Sequence, residues 1–241
     1  MDRDKIAKLI SNRLTRGKEL LKQQYDKSKN KIGYFYIDNL LPAEIVNEID
    51  NQFPYQNIEV VNCIKHICGI ENLQPDEYLY AGGISSMKKN QFLNPHLDNS
   101  HDKDRNRWRV LNLLYYVTPN WNDENGGHLE LWPNGLKKKQ ITLYSKFNRL
   151  VVMATHQLSW HSVSPVLVDS YRNCVSNYYF SNSPLRLNDK FHVTTFRGRP
   201  EQIITNQILK TDSFLRMSIR RLLRKGLRKI YMYTKRRINF C

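Results

Sequence analysis

Apolar residues recur at helical intervals near the start of the chain. Ile6, Leu9, Ile10, Leu14 and the adjacent Leu20 and Leu21 predict an amphipathic helix over residues 4–24. The pattern then changes period. Tyr34, Phe35, Tyr36 and Ile37 read as a strand, Asp38 and Asn39 break it, and Pro42 suits the first turn of a helix running to about Phe53. From about residue 78 to 198, short β-rich runs are separated by Gly83, Asn94-Pro95, Gly126-Gly127, Asn134-Gly135 and Pro165. Such spacing predicts an all-β barrel with helices packed outside it. Near the end, Phe214, Leu215, Ile219, Leu222, Leu223, Leu227 and Ile230 return at helical intervals among Arg216, Arg220, Arg221, Arg224, Lys225, Arg228 and Lys229. A basic amphipathic helix is expected there, over about residues 211–238.

Charge divides the chain in the same way. The net charge is +16, yet residues 32–204 carry seventeen basic and seventeen acidic groups. Residues 1–31 hold ten basic and four acidic groups, and residues 205–241 eleven basic and one acidic. The expected organisation is a basic helical extension (1–31), a neutral barrel domain with its supporting helices (32–204) and a basic C-terminal helix (205–241). That last helix can lie in the headgroup zone of an anionic membrane, dock on the barrel with a solvated basic face, or, less favoured, meet nucleic acid. At 241 residues the chain is long enough for a sizeable core. No apolar run of about 18 residues suggests a spanning helix, and Met1-Asp2-Arg3-Asp4-Lys5 leads into no apolar stretch of a secretory signal. Cys63, Cys68, Cys174 and Cys241 lack Cys-x-x-Cys spacing and read as free thiols of a reducing cytoplasm.

The candidate chemistry lies in the neutral middle. His96 and Asp98 are two apart in Asn94-Pro95-His96-Leu97-Asp98, so on a strand both point to one side. Adding His161, from Ser159-Trp160-His161-Ser162-Val163, gives the two imidazoles and one carboxylate that hold non-haem Fe(II) by one face. His-x-Asp alone is a weak signal, common in surface loops. Arg172 lies eleven positions beyond His161, in a run alternating toward apolar and aromatic residues. A buried guanidinium there needs an anion, although on the residue alone an outward arginine paired with a surface acid is the simpler reading. Among the other histidines, His156 lacks the flanking segment of His161, and His101 belongs to a polar loop. His66, His128 and His192 read as structural or surface residues.

The segments Leu113-Leu114-Tyr115-Tyr116-Val117-Thr118-Pro119, Gly126-Gly127-His128-Leu129-Glu130-Leu131-Trp132-Pro133, Asn148-Arg149-Leu150-Val151-Val152-Met153 and Trp160-His161-Ser162-Val163-Ser164-Pro165-Val166 carry a resemblance. In this order, over about residues 78–182, the chain resembles the prolyl-hydroxylase type of Fe(II)/2-oxoglutarate-dependent dioxygenase. The resemblance implies a double-stranded β-helix (jelly-roll) fold and a hydroxylase using Fe(II), 2-oxoglutarate and dioxygen, with ascorbate as a reductant. It implies that His96, Asp98 and His161 bind the iron and that Arg172 binds the distal carboxylate of 2-oxoglutarate. Tyr116 and Ser176 match positions that assist that arginine; Tyr116 suits a plain barrel-lining role equally well. The stretch Ser85-Ser86-Met87-Lys88-Lys89-Asn90-Gln91-Phe92 lacks the tyrosines often found there in relatives acting on protein prolines.

Several functions fit. The first is hydroxylation of a small or lipid-linked substrate such as a cell-surface glycan, by a cytoplasmic enzyme peripheral at the inner face of a membrane. The second is peptidyl-prolyl hydroxylation. A non-enzymatic metal-binding interaction module is the third, and a nucleic-acid demethylase is a minor reading, since the barrel segment sums to zero charge.

Overall fold

The computed structural model describes residues 2–46, 53–77, 79 and 82–222. Helix α1 (Arg3–Ser28) opens at Asp2, whose carboxylate accepts the Asp4 N–H. Its apolar side buries Ile6, Ile10, Leu14, Leu21 and Tyr25. The helix outruns the expected residue 24 because Tyr25 extends the buried stripe. Ser28 then accepts the Tyr34 N–H at 2.9 Å and ties the helix end to strand β1 (Tyr34–Ile37). The helix expected from Pro42 is described as α2 (Ala43–Val46), and residues 47–52 lie outside the described residues. Another helix, α3 (Ile58–Cys68), falls outside the expected elements. Its signals are plain in retrospect: Asn57 accepts the Glu59 N–H at 2.9 Å, and Gly69 ends the helix at φ 67°.

The remaining strands are β2 (Gln74–Pro75), β3 (Gly83–Met87), β4 (Leu93–Leu97), β5 (Trp108–Tyr116), β6 (Leu129–Leu131), β7 (Ile141–Leu143), β8 (Arg149–Ala154), β9 (His161–Val163), β10 (Arg172–Ser181) and β11 (Thr195–Phe196), followed by helix α4 (Ile203–Leu222). They form two antiparallel sheets. The major sheet runs β1-β8-β5-β10-β2, with β3 also paired to β10, and the minor sheet runs β11-β4-β9-β6-β7. From β3 to β10 the chain passes repeatedly from one sheet to the other, which makes a jelly roll.

Two cores follow from the period-two alternation of the strands. On the outer face of the major sheet, Leu111, Leu113, Tyr115, Val152, Val175 and Tyr179 pack with Ile10, Leu14, Val60 and Ile64 of α1 and α3. Between the sheets, Tyr116, Leu129, Leu131, Val151, Met153 and Cys174 form the inner core. The minor sheet has no such helical backing from α1 or α3. Among the described residues no helix is long and apolar enough to cross a membrane. Cys63, Cys68 and Cys174 are free thiols, and Cys241 lies outside the described residues.

Candidate metal and 2-oxoglutarate site

His96 on β4 and His161 on β9 are cross-strand partners, so both imidazoles leave the same face of the minor sheet. Their ring centroids lie 4.1 Å apart. Asp98, just past the end of β4, brings one carboxylate oxygen to 3.8 Å from His96 Nε2 and the other to 3.7 Å from His161 Nε2. One ligand atom from each residue lies within 4.8 Å of the others, and all three residues are buried.

The hydrogen bonds set the rings for metal binding. His96 Nδ1 lies 2.9 Å from Asn94 O, and His161 Nδ1 lies 2.9 Å from Ser159 O. A carbonyl can only accept, so each Nδ1 carries the proton and each Nε2 presents a lone pair toward Asp98. Burial and the neighbouring His161 push the His96 imidazole down to about 4, which keeps it neutral and ready to ligate near pH 7. Burial alone would raise the Asp98 carboxyl, but His161, His96 and Arg109 outweigh it and hold the group below its ordinary value. Two imidazoles and one carboxylate around a common point suit a ferrous ion.

Asp98 is reached from across the barrel. Asn112 on β5 and Tyr178 on β10, paired in the major sheet, each approach a carboxylate oxygen at 3.5 Å. Arg109 stacks over the Tyr178 ring at 3.9 Å. Phe196 on β11 pairs with His96 and stacks on its ring at 5.1 Å. Sequence reasoning missed these groups; for Tyr178 an even spacing from Arg172 along one strand was a usable signal. It also set aside His192, which is buried and lowers the Asp98 carboxyl electrostatically.

Arg172 opens β10 and is 3 % exposed. Its guanidinium stacks over the Tyr116 ring at 4.9 Å and donates to Met87 Sδ at 3.6 Å, while Nε has no partner. Among the described residues no carboxylate forms an ion pair with it. The outward, acid-paired arginine is therefore not what the fold contains. Gly126 and Gly127 let the adjoining loop pack here. A Cβ on Gly126 would lie 2.0 Å from Pro165 O, and one on Gly127 3.4 Å from the Arg172 side chain, with both residues at positive φ. Tyr116 is buried, its hydroxyl finds no well-aligned partner, and burial raises its pKa against the opposing pull of Arg172. Ser176 lies on the same face of β10 as Arg172, between it and Tyr178, with its hydroxyl donating to Gly83 O at 3.3 Å.

The other histidines stay apart from the cluster. His101 is half-buried against Trp108, His128 bonds through Nε2 to Asp123 O, His66 bonds to Asn62 O, and His156 accepts the Leu158 N–H.

A jelly roll with a buried His-Asp-His cluster on one sheet, and on the other a buried arginine with no carboxylate partner among the described residues, suits the binding of a metal ion and an anion. Residues 82–180 match the family model of the 2OG-Fe(II) oxygenase superfamily. A solved prolyl 4-hydroxylase structure from Phytophthora capsici is similar at a TM-score of 0.52 and 18% identity, covering 76% of this chain and 68% of that one. A Pseudomonas putida prolyl-4-hydroxylase aligns at 0.48 and 16% identity, covering 67% and 91%. HygX from Streptomyces hygroscopicus, with nickel and 2-oxoglutarate bound, aligns at 0.48 and 10%, covering 66% and 86%. Identities this low speak to fold alone, and the Phytophthora likeness carries that point. No curated protein matches the chain.

Proposed function

We propose that His96, Asp98 and His161 hold Fe(II) and that Arg172, assisted by Tyr116 and Ser176, grips the distal carboxylate of 2-oxoglutarate. The observation that carries this reading is the pairing of two unspent Nε2 lone pairs and a carboxylate with a buried guanidinium lacking an acidic partner. A lone buried cation is costly, and a bidentate carboxylate removes that cost. With iron, 2-oxoglutarate and dioxygen bound, the family chemistry turns 2-oxoglutarate into succinate and carbon dioxide and places the second oxygen atom on a substrate carbon as a hydroxyl. The protein's own part is placement. The carbonyls of Asn94 and Ser159 fix the two ring orientations, Phe196 packs one ring, and Asn112 and Tyr178 steady Asp98. No side-chain nucleophile or general base is needed.

The favoured substrate is a small or lipid-linked glycan, met by a cytoplasmic enzyme beside an anionic membrane surface. The basic segment 205–241 supports that setting, and the division into 1–31, 32–204 and 205–241 then separates support, catalysis and location. The prolyl 4-hydroxylases among the similar structures keep proline-containing peptides as the second candidate class. The deciding experiment incubates the protein with Fe(II), 2-oxoglutarate and ascorbate, with lipid-linked sugars, amino acids or prolyl peptides, and follows succinate. Succinate formation that His96→Ala abolishes supports the site, and substrate-stimulated turnover selects the class. A wild-type protein that makes no succinate under any of these conditions contradicts the proposal.

A further inference from the structure

Helix α4 is attached to the barrel by its polar side. At 100° per residue, Gln202, Asn206, Leu209, Ser213 and Arg216 line one side of its axis. That side meets the segment around β11: Gln202 accepts the Arg199 N–H at 3.1 Å, Asn206 accepts the Gly198 N–H at 3.1 Å, and Arg197 reaches Ser213 Oγ at 3.5 Å. Arg216 donates to Thr194 O at 2.9 Å while paired with Asp212. The opposite side carries Ile203, Ile204, Ile208, Phe214 and Leu215, which are 72, 79, 64, 72 and 55 % exposed. A surface helix ordinarily does the reverse, and exposed apolar side chains flanking Gln207 and Thr211 along one side of a helix mark an interaction surface.

From this we infer that the outward face of α4 docks on an anionic lipid surface, with its apolar side chains entering the headgroup region. The inference deepens the membrane-surface reading above and rests on it. Charge complementarity selects the occupant: the chain from residue 205 onward holds eleven basic groups against one acidic, and cations close to an anionic bilayer strengthen binding. A second copy of the chain, bearing the same excess, would be repelled. Docking also orients catalysis, because α4 packs against β11, whose Phe196 stacks on His96. The sheet bearing the metal cluster is thereby held at the lipid surface, where a lipid-anchored substrate presents its headgroup.

The test compares the full chain with the double variant Ile204→Glu, Ile208→Glu and the single variant Phe214→Glu. Co-sedimentation with phosphatidylcholine–phosphatidylglycerol vesicles and with pure phosphatidylcholine vesicles is measured alongside melting temperature and substrate-free succinate formation. The wild type is expected to bind the mixed vesicles and not the neutral ones. Each variant should bind at least about ten-fold more weakly, with melting and succinate formation unchanged. If either variant melts early, the other decides. Variants that bind like wild type overturn the assignment of this face while leaving the membrane reading standing on charge alone. A wild type that ignores the mixed vesicles overturns both, whereas loss of the catalytic reading would register only in succinate. A dimer or an RNA complex that the same substitutions dissolve would assign the face to a different occupant and overturn the inference.

Discussion

The two sheets of the jelly roll face one site but divide its work. The minor sheet offers two imidazoles and a carboxylate, a set suited to a metal ion, while the major sheet offers a buried guanidinium, Arg172, suited to an anion. Their support differs too. The major sheet is backed by α1 and α3 through a continuous apolar core. The minor sheet is steadied near the ligands by polar contacts: Ser162 donates to Glu130 at 2.6 Å, Trp132 donates to Ser162 at 2.8 Å, and Arg199 pairs with Glu130 at 2.8 Å. Apolar packing is thus concentrated on one side of the site and the proposed metal ligands on the other, and the two can be perturbed separately.

The largest effect is expected on the minor sheet. Asp98→Ala removes the one carboxylate of the proposed ligand set and should lower succinate formation at least about a thousand-fold, an activation cost of roughly 4 kcal/mol. Retention of near-normal turnover would mean that the ion lies elsewhere. On the major sheet, Arg172→Leu should leave metal binding intact and raise the KM for 2-oxoglutarate about a hundred-fold, from two lost charge-assisted hydrogen bonds worth roughly 1.5 kcal/mol each. Metal loss in that variant would blur the division between the sheets.

Behind the major sheet, Leu14→Ala in the α1 interface should cost about 2 kcal/mol or more in chemical denaturation. The turnover number of the folded fraction should not move; a fall would tie the helical backing to the chemistry. A smaller effect follows from pH. Burial pushes His156 to about 3 and His96 to about 4, so the fold keeps both neutral while the unfolded chain protonates them below the ordinary value of 6.5. The unfolded state then binds more protons, so their contribution is full above pH 6.5 and drains as pH falls toward 4 and then 3. Thermal melts of metal-free protein should show that decline, and His156→Gln should make it shallower. A melting temperature level across that window would contradict the burial of both rings.

Much of the site was legible because strand geometry is rigid. Two residues apart means one face, so His96 and Asp98 had to project together if β4 formed, and a barrel supplied the route for His161 to meet them. That Arg172 faces inward was expected only through its family context, since alternation shows that a residue lies on a strand without saying which face is inside. Phe196 and Asn112 were invisible because their positions depend on pairing partners set by the closed barrel, and Tyr178 left only its even spacing from Arg172 as a signal. Helices α1 and α4 show the same limit most clearly. Both carry an apolar stripe among basic residues, yet α1 buries Ile10 and Leu14 completely while α4 leaves Ile204 and Ile208 in solvent. Periodicity reveals that a stripe exists; the surface it meets is decided by the tertiary partners. Asn206 and Ser213, both polar, were the only local hint that α4 faces the barrel the other way.

The central claim is that one ferrous ion is held by His96, Asp98 and His161 beside a carboxylate site on Arg172. Anaerobic titration of Fe(II) into the metal-free protein tests it most directly, in the presence and absence of 2-oxoglutarate and with His96→Ala alongside. The account predicts one equivalent bound per wild-type chain, tightened by 2-oxoglutarate, and no comparable binding by the variant. Equal affinity in His96→Ala, or wild-type binding indifferent to 2-oxoglutarate, would contradict it.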